Sequence, residues 1–340
     1  MMISETKINS RECPLCRSIG GPVLRSFDVE DAARHFSSKG KDRVRHEKLS
    51  EHIKSLWRAD TADIVRCDAC DFVFSSPYTA GDSTFYGLAY DHANGAYPDA
   101  KWEFSRTVLE IERKLPLPSG RLLEVGAGDG AFLRQVAPRF FHPMNVLCSE
   151  FSDYGKRRIG ADGFDVYDRD IRELEIERGG FDVICMFQVL EHMDRLAELF
   201  ECLHRLGSNR SELYIAVPND QYIDFIEGHG GLMDMPPNHI GRWNRKSFEE
   251  LLSFGWELVN HEYEPGNLRT LSSGLATSRY FRKRQSAWSM ASLADRLPAP
   301  RVRRAAQIGL VGLSLPRSIV SSWTSRSEGG SQWAHLRRIA

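Results

Sequence analysis

The sequence predicts an α/β fold built on a mostly parallel sheet. Three observations lead there. From residue 121 onward, short apolar strand-like runs alternate with segments of helical period. Helical connections are what a parallel sheet requires sterically. The first apolar run leads straight into a glycine-rich turn, "LLEVGAGDGAFL", residues 122–133. The chain has 340 residues, 41% apolar and 27% charged, which suits a globular protein of one large domain or two modest ones.

Residues 1–76 hold four of the seven cysteines, as "CPLC" (13–16) and "CDAC" (67–70). The polar stretch between them carries a weak helical period at Leu49, Ile53 and Trp57. Residues 77–98 are rich in Gly, Pro, Asp and Tyr and read as an irregular, aromatic-rich connection. "DAKWEFSRTVLEIERKL" then sets Trp102, Val108, Leu109 and Ile111 on a helix that ends before Pro116. The core spans residues 99–265. Its strands are "RLLEV", "NVLCSE", "FDVICMF", "ELYIAVP" and "WELVNHEY". Its helices are "DGAFLRQVA", "SDYGKRRIG", "MDRLAELFECLHRL" and "NRKSFEELLSFG". Residues 266–340 form a basic helical extension closing on "GGSQWAHLRRI", a last strand that would make the basic segment an insertion.

Formal net charge is −1, so no whole-chain field points to nucleic acid. The region of the cysteine pairs shows no concentrated basic stripe either, and no nucleic-acid partner is expected. No apolar run reaches the length of a membrane span, and the N-terminus lacks the apolar core of a signal peptide. A cytoplasmic location is the expectation. An odd number of cysteines in a chain this long does not suggest a disulfide scaffold; Cys148, Cys185 and Cys202 read as core packing.

Strand, glycines, helix is the order of a nucleotide loop. A phosphate loop of the Walker type needs a Lys-Ser/Thr pair that is absent here. A dinucleotide loop fits Gly126, Gly128 and Ala131 loosely. S-adenosylmethionine is the third option, with Glu124 two residues before Gly126, Gly128 and Gly130. A pyrophosphate wants helix N-terminal amides and no neighbouring carboxylate. A cationic α-ammonium wants a carboxylate such as Glu124. Asp129 inside the loop tilts the balance the same way. Further on, Glu150 ends the next strand, where a carboxylate can accept from a ribose diol. Asp170 and Ile171 close "FDVYDRDI", where they meet an adenine edge or form a charged surface turn.

Together "LLEVGAGDGAFL", "CSEFS", "DRDI" and "FDVICMFQVLEHM" resemble the cofactor motifs of class I S-adenosylmethionine-dependent methyltransferases, over roughly residues 100–265. The resemblance implies a Rossmann-like seven-stranded sheet with helices on both faces. It implies that Glu124, Gly126, Ala127, Gly128 and Gly130 line the methionine part. Glu150 and Phe151 would meet the ribose, Asp170 and Ile171 the adenine, and Phe187 and Gln188 the region near the sulfonium.

Cys13, Cys16, Cys67 and Cys70 have the spacing to close a tetrahedral thiolate shell around structural zinc. A redox dithiol, or a ligand exchanged for His35, His46 or His52, is the alternative. The gap of about fifty residues between pairs requires an inserted helix. A four-cysteine module, then "FVFSSP" and a tyrosine-rich segment ahead of such a core, resembles a bacterial subgroup that includes C-methyltransferases of nucleotide-linked deoxysugars. That gap departs from the subgroup's compact module.

A sulfonium methyl is already electrophilic, so catalysis needs an in-line acceptor and a proton acceptor. His192 in "VLEHM" is the first candidate base, and His239 in "GGLMDMPPNHIGRW" the second; His229 and Tyr222 are weaker. His192 also reads as a helix-start histidine that only packs or caps. Between residues 271 and 327, Arg279, Arg282, Lys283, Arg284, Arg296, Arg301, Arg303, Arg304, Arg317 and Arg326 face only Asp295. That segment is a solvated helical cover, or it attracts a phosphate-bearing substrate or an anionic membrane surface. The expectation is a methyltransferase acting on a small molecule, such as a nucleotide-linked sugar or a secondary metabolite. The competing readings are a nicotinamide-dependent oxidoreductase and a zinc-knuckle interaction module on a non-catalytic Rossmann domain.

Overall fold

Alternation of buried apolar side chains builds the central sheet. On the strand Phe181–Phe187, Val183 and Cys185 enter one core while Ile184 and Met186 enter another. Leu122 and Leu123 divide the same way on Leu122–Val125. Successive strand side chains point to opposite faces, so both faces are apolar and both need cover.

The computed structural model describes residues 11–37, 39–40, 42–90, 98–114, 120–175, 180–284, 289–324 and 328–339. Among them the strands are β1 (Val23–Asp28), β2 (Thr61–Arg66), β3 (Val73–Ser76), β4 (Leu122–Val125), β5 (Val146–Ser149), β6 (Asp165–Tyr167), β7 (Phe181–Phe187), β8 (Gly207–Pro218), β9 (Gly241–Arg242), β10 (Trp256–Tyr263) and β11 (Ser331–Arg338).

Seven strands form one sheet in the order β10-β11-β8-β7-β4-β5-β6. The pairs β4–β5, β4–β7, β5–β6 and β7–β8 are parallel, and β11 runs antiparallel to both of its neighbours. The expected mostly parallel seven-stranded sheet is therefore present. Helices Trp102–Lys114, Ala131–Phe140 and Asp153–Ala161 cover one face, bringing Phe104, Phe132, Val136 and Ile159 onto Phe187 and Trp333. Helices Leu196–Leu206 and Arg245–Glu249 cover the other with Leu199, Phe200, Leu203 and Phe248. The connections from β4 and β7 diverge, which opens a crevice at the carboxyl ends of these strands, the usual ligand position in an open α/β sheet.

The N-terminal residues add a second sheet of order β1-β2-β3-β9. Its last strand comes from far along the chain. The two sheets share a core: Cys13, Leu15, Val65, Phe72 and Phe74 belong to the cluster that holds Phe200 and Trp243. Trp243 sits 4.8 Å from Phe72 and 5.3 Å from Phe248, ring to ring.

Two departures from the sequence reading are local. The stretch between the cysteine pairs holds two helices, Val29–Phe36 and Arg43–Trp57, with β1 and β2 on either side, rather than one inserted helix. The buried face of the second carries Leu49, Ile53 and Trp57, as the period predicts. Residues 77–98 are not wholly irregular: Ser83–Ala89 is a helix, started by Asp82 accepting the Phe85 N–H at 2.8 Å and pinned by buried Phe85 and Ala89. Two turns are too short to display a period; the cap was the legible signal. Residues 91–97 of that connection lie outside the described residues.

The basic segment forms helices Leu268–Arg284, Met290–Asp295 and Pro300–Thr324, inserted between β10 and β11. Its one acid, Asp295, is buried and accepts from the Tyr280 hydroxyl at 3.0 Å and the Gln307 amide at 2.8 Å. Arg326 lies outside the described residues. No helix among the described residues is long and apolar enough to cross a membrane.

Candidate active site

The glycine turn leaves β4 with Gly126, Gly128 and Gly130 all at positive φ, +71°, +58° and +81°. Side chains resist this left-handed region, so these glycines answer a backbone demand first. A Cβ on Gly126 would also strike Val189 Cγ2, and a Cβ on Gly155 would strike the Gly128 carbonyl. Part of the bareness therefore serves protein packing: the Val189 turn and the helix Asp153–Ala161 close tightly on the loop. Ala127 is buried within it and donates its N–H to the Ser149 carbonyl at 2.9 Å.

Glu124 ends β4 beneath this loop. Only 2% of it is exposed, and its Oε2 has no hydrogen-bond partner among the described residues. Burial raises its carboxyl well above the usual range, with Lys101 opposing that and Glu150 and Asp129 reinforcing it. An acceptor left without a donor in the interior costs about 1–3 kcal/mol. A bound cation would supply the missing partner, and that chemistry fits an ammonium rather than a diphosphate. Asp129, also in the loop, is ion-paired to Arg134 at 3.4 Å.

Glu150 follows β5. Its Oε2 accepts the Gly128 N–H at 2.9 Å and its Oε1 the Ser152 N–H at 2.8 Å, so it braces the loop and keeps spare lone pairs. Phe151 beside it is 68% exposed. Asp170 caps the 3₁₀ turn Ile171–Glu173; its oxygens accept from the Arg172 N–H and guanidinium and from Arg195 at 3.2 Å. These arginines overcome the effect of burial and hold its carboxyl below the usual range. Ile171 is buried. Phe187 packs edge-on against Phe104 and Phe132 at the end of β7. Gln188, at φ +58°, reaches Ser331 Oγ at 2.9 Å and Glu103 Oε1 at 3.3 Å, tying the crevice floor to β11.

His192 and His239 meet although 47 positions separate them in the sequence. Their rings pack edge-on, with centroids 4.6 Å apart. His192 Nδ1 is 2.6 Å from the Asn238 carbonyl and 3.0 Å from the Tyr86 hydroxyl. Burial pushes its pKa down to about 3, and His239 adds to the effect, so the ring is neutral at physiological pH. His239 Nδ1 is 2.8 Å from Asp234 Oδ1. Burial works against a charge on His239, but Asp234 outweighs it and the net shift is upward. Glu191, 1% exposed, is the third member; its Oε1 lies 3.9 Å from His192 Nε2, and burial pushes its carboxyl up to about 7. Tyr90 donates to Asn238 Oδ1 at 3.0 Å, bracing the same loop.

Glu191 lies inside "VLEHM", and Asp234 and Asn238 inside "GGLMDMPPNHIGRW", yet sequence reasoning picked out only the histidines of those strings. For Tyr86 the signal was the aromatic density of residues 77–98. His229 bonds to the carbonyl of Phe225 at 2.8 Å, capping its own helix, and Tyr222 lies on the same helix; neither hydrogen-bonds to the histidine pair among the described residues.

The four paired cysteines converge. Cys13 Sγ is 3.7 Å from Cys70 Sγ and Cys16 Sγ is 3.5 Å from Cys67 Sγ, with all four sulfurs within 4.8 Å of one another. A tetrahedral zinc with bonds of about 2.3 Å needs sulfur pairs about 3.8 Å apart, so the group fits the ion. His46 is committed to the Ser37 carbonyl and Glu30, and His52 to Asp82. Neither these nor His35 joins the sulfur cluster.

Residues 100–261 match the family model described as "Methyltransferase domain". Over these residues the chain is similar to methyltransferase domains. The chain is 25% identical over 142 residues to the ubiquinone biosynthesis O-methyltransferase of Hahella chejuensis (strain KCTC 2396), a match covering 40% of this chain and 60% of that protein. The chain thus spans less than two thirds of that relative's length. Among solved structures, coclaurine N-methyltransferase bound to N-methylheliamine and S-adenosylhomocysteine aligns at TM-score 0.45 and 15% identity, over 92% of this chain and 95% of that one. Geranyl diphosphate C-methyltransferase from Streptomyces coelicolor A3(2) aligns at TM-score 0.41 and 13% identity, over 69% and 77%. Within the matched residues Glu150 braces the glycine loop after β4, and the turn after β7 carries Glu191 and His192.

Proposed function

We propose that this chain transfers a methyl group from S-adenosylmethionine to a small-molecule acceptor. The observation that carries the reading is Glu124: a buried carboxyl with an oxygen that has no partner among the described residues, beneath three left-handed glycines. Bound there, S-adenosylmethionine supplies an electrophilic methyl. Glu124 fixes the α-ammonium, and Gly126, Ala127, Gly128 and Gly130 admit the methionine part close to main chain. Glu150 and Phe151 receive the ribose, and Phe187 and Gln188 flank the end nearest the acceptor. Asp170 and Ile171 take the adenine end, which requires Asp170 to share its oxygens with Arg172 and Arg195.

The acceptor's proton goes to the histidine pair. His192 presents a neutral Nε2, since its Nδ1 faces the Asn238 carbonyl. His239 has its basicity raised by Asp234. Cys13, Cys16, Cys67 and Cys70 hold a structural zinc that leaves no open position for substrate.

The acceptor class we favour is a phosphate-bearing small molecule such as a nucleotide-linked sugar, attracted by the basic insertion. The same insertion supports a peripheral membrane contact. On the helix Pro300–Thr324, Val302, Ile308, Leu313 and Val320 are between 57% and 80% exposed beside exposed Arg301, Arg304 and Arg317. Val302, Leu313 and Val320 share one helix face by their spacing, and an apolar strip of that kind beside arginine suits an anionic bilayer surface. Salt-sensitive cosedimentation with anionic vesicles supports that contact; no binding at low salt removes it.

Calorimetry with S-adenosylmethionine, S-adenosylhomocysteine and NAD tests the main reading. The first two bind and NAD does not. NAD binding alone would favour an oxidoreductase, and no binding of any of the three an interaction module.

A further inference from the structure

We propose that Glu191, His192 and His239 form a site for a divalent first-row transition-metal ion, separate from the four-cysteine group. One donor atom from each lies within 4.8 Å of one from each of the others. Two imidazoles and one carboxylate are a recurrent donor set for zinc and for non-haem iron. Closing on an ion with bonds of about 2.0–2.2 Å requires donors about 3–3.4 Å apart. Glu191 Oε1 and His192 Nε2 stand 3.9 Å apart, so an ion would draw this pair in by only about half an ångström.

Three features set this cluster apart from an accidental one. The first is the state of Glu191. It is 99% buried by its 1% exposure, and its Oε2 has no hydrogen-bond partner among the described residues. A carboxylate hidden from water with an open oxygen beside two imidazoles is suited to a cation.

The second is the outer shell. Metal-binding histidines almost always direct their other ring nitrogen to a carboxylate or a backbone carbonyl, which fixes the tautomer and the ring. Both histidines do so here. His239 Nδ1 faces the Asp234 carboxylate at 2.8 Å and His192 Nδ1 the Asn238 carbonyl at 2.6 Å. Each Nδ1 therefore carries the hydrogen and each Nε2 keeps its lone pair. Asp234 is itself held, with Arg242 donating to its backbone carbonyl at 3.1 Å.

The third is rigidity. Glu191 and His192 sit on a single 3₁₀ turn after β7, and the Ile240 N–H bonds to the Glu191 carbonyl at 2.8 Å, locking the second histidine's loop onto that turn. Three protein donors leave open coordination positions, so the ion could also hold an oxygen or nitrogen of a bound small molecule.

This inference stands on donor geometry and goes beyond the methyl-transfer reading. It bears on that reading in one respect: an ion on the two Nε2 atoms occupies the lone pairs proposed to take the proton.

The test is a Co²⁺ titration of the metal-free full chain. Cobalt on the cysteine group gives thiolate-to-metal charge-transfer absorption; cobalt on this cluster does not. Wild type should bind one equivalent lacking that absorption. Glu191→Gln and His239→Gln should lose it, and Asp234→Asn should weaken it by roughly 10–100-fold, the usual cost of removing an outer-shell partner. A thermal melt of each variant guards against loss of fold. Cobalt-edge X-ray absorption on wild type decides the matter without variants: an ion ligated by nitrogen and oxygen supports the site, and cobalt ligated by sulfur alone overturns it. Equal binding by wild type and all three variants overturns it too. Cofactor binding and turnover, assayed separately with and without cobalt, can fail without touching this result.

Discussion

Replacing Glu124 with glutamine should move stability and cofactor binding in opposite directions. In the free protein this carboxyl is buried with Oε2 unpartnered, and desolvation raises its pKa well above the usual value. A raised pKa means that the native state holds the proton more tightly than the unfolded chain. The contribution to stability is therefore complete below the unfolded carboxyl pKa and is lost as pH rises through the raised folded value. Glutamine is close to the protonated acid in shape and cannot ionise. Glu124→Gln should thus flatten the decline of stability with rising pH, leaving the free variant at least as stable as wild type at neutral pH. Binding should move the other way. A charge-assisted hydrogen bond to an ammonium is worth about 1.5–3 kcal/mol, and each 1.4 kcal/mol is roughly tenfold in affinity. S-adenosylmethionine should bind the variant on the order of 10–100-fold more weakly. Where wild-type Glu124 is still protonated, binding should also release a proton, visible by calorimetry in buffers of different ionisation enthalpy. Affinity within about threefold of wild type, with no proton released, would refute the assignment of Glu124 to the ammonium.

Four further outcomes follow from the same geometry. Gly126→Ala places a methyl against Val189 at φ +71° and should cost about 1–2 kcal/mol for the left-handed backbone, with overpacking of about 1–3 kcal/mol on top. In denaturant titrations only the packing part should be recovered by adding Val189→Ala. Cys70→Ser should lower the metal content by one equivalent and destabilise the chain as a whole, because the cysteine region shares its core with the main sheet; metal analysis and thermal melts check both. The pH–rate profile should show its acid limb above the ordinary histidine range, because Asp234 raises His239, and Asp234→Asn should move that limb down. Near-normal saturating turnover in both His192→Ala and His239→Ala would remove the pair as the base. Trp243→Ala, at the junction of the two sheets, should cost about 3–5 kcal/mol in equilibrium unfolding.

The strands of the core were legible because each is a short apolar run bounded by turn residues. β7 and β10 have the same limits in sequence and structure. The glycine loop was legible because three left-handed positions in five leave no other residue type cheap. What escaped was short or non-local. The helix Ser83–Ala89 shows no period, and its aspartate cap was overlooked. For Asp170 the sequence left an adenine contact and a charged surface turn open; it lies against two arginines, one of them 25 positions away in sequence. β9 is two residues long, and nothing in "GR" announces that it completes the N-terminal sheet.

The sequence alone determined the α/β class, the glycine loop with Glu124 at its base, and the four thiolates spaced for one ion, because each is written in local spacing or periodicity. Only tertiary structure decided that His192 and His239 stand side by side with Glu191, and that Asp234 and the Asn238 carbonyl fix their protons. Those relations rest on the turn after β7 being bonded to the loop before β9, a contact between segments with no sequence pattern in common.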